Sequence, residues 1–154
     1  MAMDRYFFAY GSNMSVWVMS EICGEHKVVG PVRLDDYRVA FLRKSRGWQG
    51  GVADIVYSAG DAVWGVLYAI GNSCHNALDS KEQFGTGYTS MNVEVSLPEA
   101  GQTVHAFTYT VIDKASEEIP PSQHYFDTML EGAKQRGLPD DYIKYLRLIR
   151  PAKT

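Results

Sequence analysis

The sequence predicts an α+β fold, a small and mostly antiparallel β-barrel of about six or seven strands surrounded by three or four α-helices. Three observations support this prediction. Short runs of β-branched and aromatic residues recur along the chain, separated by turns that contain glycine or acidic residues. Most neighbouring runs are close enough to form hairpins, which favours antiparallel pairing. Helix-capping residues mark a few amphipathic segments between and after these runs.

Each element has its own local signal. The predicted strands are the apolar or β-branched runs at residues 5–10, 27–32, 37–43, 52–57, 63–70, 88–97 and 103–111. A polar connection at 34–36 separates the second strand from the third, and a hairpin turn at 58–61 separates the fourth from the fifth. The predicted helices cover 16–23, 72–84, a segment starting at Pro120-Pro121-Ser122, and a last one opened by Pro139-Asp140-Asp141. Gly137 stands where a helix C-cap glycine belongs.

Length and composition favour one domain, residues 1–154, with an ordinary globular core. Hydrophobic residues make up 45% of the chain, and the net charge of −3 gives no general attraction to nucleic acid or to anionic membranes. No apolar run is long enough to span a membrane, and the first strand begins too early to leave room for a signal peptide. We therefore expect a cytoplasmic protein that binds neither nucleic acid nor membranes.

The cysteines and histidines show no pattern of metal ligands. Cys23 and Cys74 lie in unrelated contexts without Cys-x-x-Cys spacing, which suits a reducing compartment and argues against both a disulfide scaffold and a zinc site. None of the four histidines has a partner at ligand spacing. The sequence therefore predicts unpaired cysteines and no metal centre.

A first candidate site is the end of the first predicted strand. An apolar run stops abruptly in Gly11-Ser12-Asn13, and a helix is expected to begin near Ser15. Glycine and asparagine tolerate unusual backbone angles, and serine and asparagine can cap the start of the next helix. The free amides of such a loop form a small site for a phosphate or a carboxylate. The alternative is an ordinary strand-to-helix turn with good caps.

A second candidate site is a carboxylate on the apolar face of a predicted helix. Cys74, Leu78 and Glu82 are four residues apart and share one face, whereas Asp79 and Lys81 are expected on the solvent side. A carboxylate held against apolar surface loses hydration and becomes suited to both taking and giving a proton near neutral pH. The alternative is that the helix frays early and Glu82 reaches water.

A group of basic residues lies between the two candidate sites in the sequence. Arg33, Arg38, Arg43, Lys44 and Arg46 cluster near aromatic residues. Such a combination can form a surface for nucleic acid. Because the chain as a whole is acidic, we expect a solvated face of the sheet instead.

These residues together resemble the γ-glutamylcyclotransferase family. Tyr10-Gly11-Ser12-Asn13-Met14 is similar to the family's Tyr-Gly-Ser-Asn-Leu signature, with methionine in place of leucine. Further similarities occur in order along essentially the whole chain: Gly50-Gly51-Val52-Ala53-Asp54-Ile55, Val63-Trp64-Gly65-Val66, Leu78-Asp79 with Glu82, Pro121-Ser122 with Tyr125, Gly132-Ala133-Lys134, and Gly137-Leu138-Pro139 with Tyr142. Gln83-Phe84-Gly85 departs from the Gly-Val that commonly comes after the family's glutamate, and this changes the pocket wall.

The resemblance implies a γ-glutamylcyclotransferase-like barrel with a pocket at one mouth, and an amide-cleaving enzyme of the acyltransferase or lyase class that needs no cofactor. Such enzymes release 5-oxoproline and a free amino acid or amine from a small γ-glutamyl compound, by attack of its α-amine on its γ-carbonyl. Glu82 is then the expected general acid/base. The expected substrate-binding residues are Tyr10, Gly11, Ser12, Asn13, Met14, Ser15 and Tyr125.

Several alternatives stay open at this point. The protein is also consistent with a cyclotransferase of the same fold for γ-glutamylamines, glutathione or a carrier-bound γ-glutamyl group, or with a non-catalytic module that binds a small molecule. Tyr125 fits a core position as well as a pocket position, because it shares a helical face with Met129. The apolar face of the last helix fits either a homodimer interface or packing on the barrel; it comprises Tyr142, Tyr145, Leu146 and Ile149.

Overall fold

The computed structural model of the protein describes residues 2–151, and in that part of the chain five strands, four α-helices and one short 3₁₀ turn are formed. The strands are β1 (Arg5–Ala9), β2 (Lys27–Ser45), β3 (Gly50–Ile70), β4 (Tyr88–Leu97) and β5 (Gln102–Val111). The helices are α1 (Val16–Ile22), α2 (Asn72–Lys81), α3 (Gln123–Gln135) and α4 (Asp140–Leu148), and the 3₁₀ turn is Ser12–Met14.

The strands close into a barrel in the order β1-β3-β2-β4-β5. β1 runs antiparallel to β3 along its whole length, and it completes the barrel by pairing in parallel with β5, where Phe7 lies opposite Phe107. The pairings of β2 with β3 and β4, and of β4 with β5, are antiparallel. The predicted α+β architecture, a mostly antiparallel barrel with surrounding helices, is confirmed.

The predicted strand count of six or seven is wrong, because two pairs of predicted strands are continuous. The expected connection at 34–36 lies within β2, and the expected hairpin turn at 58–61 lies within β3. The pairing register shifts at this point, and the Asp36 carboxylate accepts a hydrogen bond of 3.0 Å from the Gly60 amide. Asp36 and Gly60 have φ angles of 67° and 86°. Their turn chemistry therefore produces a bulge in a paired ribbon, not a chain reversal.

α3 packs on the barrel through an apolar stripe. Phe126, Met129 and Ala133 are buried. The helix ends as expected for a C-cap glycine, since Gly137 has a φ of 78° and the next amide, that of Leu138, donates to the Ala133 carbonyl at 3.0 Å.

The apolar face of α4 is largely used within the chain. Tyr142 and Leu146 are buried, and Ile149 packs against the edge of the core. Tyr145 is 37% exposed. Packing on the protein's own core therefore accounts for most of this face, and a homodimer stays a prediction.

The glycines at the start of β3 let the segment before α3 cross closely over the strand. The Gly51 amide donates to the Pro120 carbonyl at 3.0 Å, and a Cβ on Gly51 would lie only 1.9 Å from the Ile119 carbonyl oxygen. The crossing chain leads directly into Ser122, whose hydroxyl caps α3 by accepting from the Tyr125 amide. The close contact therefore fixes the position at which α3 begins, and with it the position of Tyr125.

The expectation of unpaired cysteines is wrong. Cys23 and Cys74 form a disulfide with a Cα–Cα distance of 4.9 Å, across 51 residues of sequence. The bond joins the residue after α1 to the first half of α2. Sequence spacing could not reveal it, because the barrel brings the two helices together only in the folded chain.

α3 also approaches the end of the 3₁₀ turn, at Gly132. A Cβ at this position would lie 2.5 Å from the Ser15 amide nitrogen and 2.7 Å from the Met14 carbonyl carbon. Both are backbone atoms, so no rotation of a side chain can relieve the contact. The glycine therefore sets the distance between α3 and the loop after β1.

We expect Gly132→Ala to lower the free energy of unfolding by about 1–3 kcal/mol, because the added methyl group overpacks two backbone segments. At an unhindered helical glycine the same change would raise it by about 1 kcal/mol, so the sign is diagnostic. Urea denaturation measures the effect. Gly24→Ala is the control, since a Cβ there meets no atom within 4 Å. An unchanged or increased stability of Gly132→Ala would contradict the close approach.

Candidate active site

A cavity of about 620 Å³ lies where the ends of β1, β2 and α2 meet. Its lining contains six of the predicted site residues: Tyr10, Gly11, Ser12, Asn13, Glu82 and Tyr125. The two candidate sites of the sequence therefore face one cavity, although Asn13 and Glu82 are 69 residues apart along the chain.

The loop after β1 presents amide groups that its own turn leaves unused. The 3₁₀ turn consumes the amides of Met14 and Ser15, which donate to the carbonyls of Gly11 (3.1 Å) and Ser12 (3.0 Å). Within residues 2–151, no backbone carbonyl accepts from the amides of Gly11, Ser12 or Asn13. Donors for an anion are therefore concentrated in these first three residues of the loop.

Met14 and Ser15 lie behind the cavity lining. The Met14 side chain is fully buried, and its carbonyl accepts from Arg136 Nε at 3.3 Å. Ser15 Oγ caps α1 by accepting from the Val18 amide at 3.5 Å. These two residues hold the loop in place, and their contact with substrate stays a prediction.

Glu82 lies at the cavity end of α2. The helix stops at Lys81, earlier than predicted, and Glu82 is its C-cap residue, with its amide donating to the Leu78 carbonyl at 2.9 Å. Its side chain is only 14% exposed, and Oε1 accepts a hydrogen bond of 3.0 Å from Asn13 Nδ2. The early end of the helix thus does not release Glu82 into water, because the Asn13 amide holds it at the cavity.

Lys81 also lines the cavity, a position that its place in the helical pattern does not predict. Its ammonium donates to Ser12 Oγ at 3.3 Å and to Asn13 Oδ1, and lies 3.8 Å from Glu82 Oε1. Burial lowers the pKa of Lys81, and the nearby Glu82 carboxylate partly opposes this effect. The helical pattern placed Lys81 on the solvent side, but α2 ends at this residue and its side chain turns to the loop.

Asp79 also departs from its expected solvent position. Its Oδ1 accepts from the Tyr109 hydroxyl at 2.5 Å, and Tyr109 lines the cavity. Two other cavity tyrosines donate to backbone carbonyls, Tyr10 to that of Tyr109 (2.7 Å) and Tyr88 to that of Ala53 (3.0 Å). These hydroxyls therefore have fixed acceptors inside the protein.

Tyr125 is both buried and part of the cavity wall. Its hydroxyl accepts from the Ala53 amide at 2.9 Å and lies next to Ser12. A Cβ on Gly11 would come within 3.0 Å of this hydroxyl, so the glycine of the loop makes room for it. Burial raises the pKa of Tyr125 well above its ordinary value, which keeps the phenol neutral and able to donate at physiological pH.

Three of the five clustered basic residues lie at the cavity, where the sequence predicted a solvated sheet face. Arg43, Lys44 and Arg46 belong to the lining, next to the half-buried Trp48. Arg33 fits the prediction, because it pairs with Asp35 at the surface (2.8 Å). Arg38, Lys44 and Arg46 are exposed as well, and Arg43 is partly buried and contacts Gln83.

A model of the AIG2-like family matches residues 62–146, a segment that includes Glu82 and Tyr125. The γ-glutamylcyclotransferase of Bos taurus is 34% identical over 150 residues, which cover 94% of this chain and 78% of the bovine protein. The chain belongs to the γ-glutamylcyclotransferase family. The family member from Homo sapiens is 33% identical with the same coverage.

The fold agrees with this family. A solved structure of a γ-glutamyl cyclotransferase superposes with a TM-score of 0.89 and 32% identity, over 97% of this chain and 90% of that one. The resemblance that the sequence motifs indicate is thus confirmed along nearly the whole chain.

No helix within residues 2–151 is long and apolar enough to cross a membrane. In the same part of the chain, no group of three or more His, Cys, Asp or Glu side chains is arranged to hold a metal ion. The predicted independence from cofactors, and from nucleic acid and membrane partners, stays a prediction.

We expect the pKa of Lys81 to lie below its ordinary value of 10.5, and Glu82→Gln to lower it further, because the lost carboxylate favours the ammonium form. An NMR titration of the lysine side chains measures both effects. Glu94→Gln is the control, since Glu94 is an exposed residue of β4 that interacts with His105, and it should leave Lys81 unchanged. A Lys81 pKa that does not respond to Glu82→Gln would contradict the proximity of the two side chains.

Proposed function

We propose that the protein is a γ-glutamylcyclotransferase, which releases 5-oxoproline and a free amino acid or amine from a small γ-glutamyl compound. The observation that carries this proposal is the position of Glu82, a carboxylate fixed by Asn13 in the lining of a cavity of about 620 Å³. The family to which the chain belongs supports it, since the bovine and human relatives are named γ-glutamylcyclotransferases.

The proposed reaction is an intramolecular aminolysis. The α-amine nitrogen of the glutamyl group forms a bond to its own γ-carbonyl carbon, and the bond from that carbon to the departing nitrogen breaks. Because the nucleophile is tethered, the protein has only to hold the substrate folded. Well-oriented intramolecular reactions gain about 7–11 kcal/mol from this effect alone.

Glu82 is the proposed general acid/base. It takes a proton from the α-ammonium, which frees the lone pair for attack, and returns a proton to the departing nitrogen. The hydrogen bond from Asn13 Nδ2 occupies Oε1 and leaves Oε2 to carry the proton. No covalent intermediate and no metal ion are required.

The loop after β1 is the proposed site for the α-carboxylate of the glutamyl group. The amides of Gly11, Ser12 and Asn13 supply hydrogen-bond donors, and the Lys81 ammonium supplies a positive charge beside them. In this arrangement the glutamyl carboxylate lies beside Lys81 and the reacting amine lies beside Glu82, and these two residues are adjacent in the chain. Tyr125, whose hydroxyl lies next to Ser12 in the cavity lining, is proposed to donate that hydroxyl to a substrate oxygen.

A non-catalytic binding module of the same fold would need the loop but not the acid. The Glu82 carboxylate disfavours this alternative, because it is largely buried in the cavity lining and a loop that only binds an anion does not require it.

We further propose that residues 1–154 form one domain, because the buried residues of the barrel and of the helices belong to one continuous core. The cytoplasmic location stays a proposal. Unpaired cysteines no longer support it, because Cys23 and Cys74 form a disulfide. A homodimer stays a proposal that light scattering of the purified protein tests directly.

Incubation with L-γ-glutamyl-L-alanine should yield 5-oxoproline and alanine in equal amounts, with or without EDTA. Glu82→Gln should lower kcat by about 10²-fold or more, because an amide cannot carry the proton. Glu131→Gln is the matched control, since Glu131 is exposed on α3 and lies outside the cavity lining. Activity of Glu82→Gln within a few-fold of the parent would contradict the role of Glu82 as general acid/base. If the parent formed no 5-oxoproline from any γ-glutamyl compound, the cyclotransferase function itself would be contradicted.

Tyr125→Phe separates the pocket role from the core role. A pocket role predicts a loss of about tenfold in kcat/KM with the free energy of unfolding within about 1 kcal/mol of the parent, the cost of one hydrogen bond. Tyr142→Phe is the control, because Tyr142 is a buried tyrosine outside the cavity lining. Unchanged kcat/KM in Tyr125→Phe, measured by 5-oxoproline formation, would contradict the pocket role and leave Tyr125 with a purely structural role in the core.

A further inference from the structure

Tyr109 contacts both halves of the candidate active site. Its hydroxyl donates to Asp79 Oδ1 at 2.5 Å, and Asp79 belongs to α2, the helix that ends at Glu82. Its backbone carbonyl accepts from the Tyr10 hydroxyl at 2.7 Å, and Tyr10 leads into the loop after β1. Tyr109 therefore connects α2 to the loop by a second route, separate from the hydrogen bond between Asn13 and Glu82.

The part of β5 around Tyr109 is tied to the barrel on both sides of this residue. Thr108 Oγ1 donates to the Phe8 carbonyl at 2.7 Å, and Thr110 Oγ1 donates to Asp54 Oδ1 at 2.8 Å. The Tyr109 side chain is itself buried. Because the neighbouring residues are held, the Tyr109 hydroxyl has a fixed position from which it can anchor another element.

Asp79 connects this fixed hydroxyl to the turn that carries Glu82. Its backbone carbonyl accepts from the Phe84 amide at 2.9 Å, and the Gln83 amide donates to the Ser80 carbonyl at 3.2 Å. These bonds close the chain after α2 into a tight turn, in which Gln83 has a φ of 52°. A left-handed φ at a residue other than glycine persists only where the surrounding contacts hold it. The Asp79 side chain therefore anchors a turn that local preference alone does not maintain.

The contact between Tyr109 and Asp79 is a charge-assisted hydrogen bond, a class about twice as strong as bonds between neutral groups. Burial, and then the Asp79 hydrogen bond itself, raises the pKa of Tyr109 well above its ordinary value, so the phenol remains a donor at physiological pH. Asp79 Oδ1 also lies 3.7 Å from His75 Nε2, and the His75 ring stacks on Phe107 with 4.3 Å between ring centres. The Asp79 carboxylate is thus held from the barrel and from its own helix.

We infer that Asp79 is a positioning residue, which through Tyr109 holds the turn after α2 so that Glu82 faces the reacting amine. Asp79 lies outside the cavity lining, whereas Glu82 and Tyr109 belong to it, so Asp79 acts through these two residues and not on the substrate. A misplacement of a reacting group by about 1 Å can cost about 10²-fold in rate. This inference rests on the proposed function.

The kinetic test removes the same hydrogen bond from either end, with L-γ-glutamyl-L-alanine as the substrate. Asp79→Ala and Tyr109→Phe should each lower kcat about tenfold, because Glu82 loses its alignment. The double variant should lower kcat no further, since both changes remove one bond. Asp79→Asn, which keeps an oxygen acceptor without the charge, should lower kcat less than Asp79→Ala. KM should stay within about threefold of the parent, because neither change touches the Tyr109 carbonyl that holds the loop.

Each variant has a matched control whose kcat should equal that of the parent. Asp61→Ala is the control for Asp79→Ala, since Asp61 accepts a hydrogen bond of 2.5 Å from the Ser58 hydroxyl outside the cavity lining. Tyr142→Phe is the control for Tyr109→Phe, since Tyr142 is buried and also lies outside the lining. An unchanged kcat in Asp79→Ala, losses that add in the double variant, or a rise in KM without a fall in kcat would overturn the positioning role.

An NMR titration of Lys81 provides a readout without turnover. Tyr109→Phe removes no charge, yet it should lower the pKa of Lys81 in the same direction as Glu82→Gln, because a displaced Glu82 carboxylate no longer favours the ammonium form. Tyr142→Phe should leave the Lys81 titration unchanged. An unchanged Lys81 pKa in Tyr109→Phe would overturn the positioning role whatever the kinetics show. If the parent forms no 5-oxoproline, the proposed function fails, and this titration alone decides whether Tyr109 and Asp79 position Glu82.

Discussion

The hydrogen bond from Asn13 Nδ2 to Glu82 Oε1 joins two parts of the chain that are 69 residues apart, and the cavity exists where these parts meet. The loop side is held by the Tyr68 hydroxyl, which donates to the Asn13 carbonyl at 2.7 Å, and by the close approach of α3 at Gly132. The α2 side is held by its buried face and by the disulfide to the end of α1. The position of the carboxylate thus depends on packing outside the cavity lining.

Charge is used differently inside the barrel wall and inside the cavity. Asp54 is fully buried in the wall. Its Oδ2 accepts a hydrogen bond from Lys114 Nζ at 2.5 Å, and its Oδ1 accepts from the Val111 amide at 3.1 Å. Its charge is balanced, and it links β3 to the end of β5. Arg43, Lys44 and Arg46 line the cavity and take no part in the ion pairs within residues 2–151. The barrel wall thus holds a paired structural charge, whereas the cavity lining carries more cations than carboxylates within residues 2–151.

The sequence is sufficient to predict the barrel and the loop after β1, because both depend on local chemistry. It also predicts the inward position of Glu82, but Glu82 lies just beyond α2, where the Asn13 side chain and not helical period holds it. The sequence predicts a connection and a turn where the structure has a bulge at Asp36 and Gly60, because the same residues favour turns and bulges. Only the pairing of β2 with β3 decides between the two. The sequence misses Lys81, because the helix ends at that residue and helical period no longer applies. The disulfide and the position of Arg43, Lys44 and Arg46 at the cavity depend on contacts between elements that are distant in sequence, which no local pattern encodes.

A crystal structure of Glu82→Gln with unreacted L-γ-glutamyl-L-alanine tests the central claim, that the joined loop and α2 end hold the substrate folded for ring closure. The account predicts the α-amine within hydrogen-bond distance of the side chain at position 82, and the glutamyl carboxylate on the amides of Gly11 to Asn13 beside Lys81. An α-amine directed away from position 82, or a glutamyl carboxylate bound elsewhere in the cavity, would contradict it.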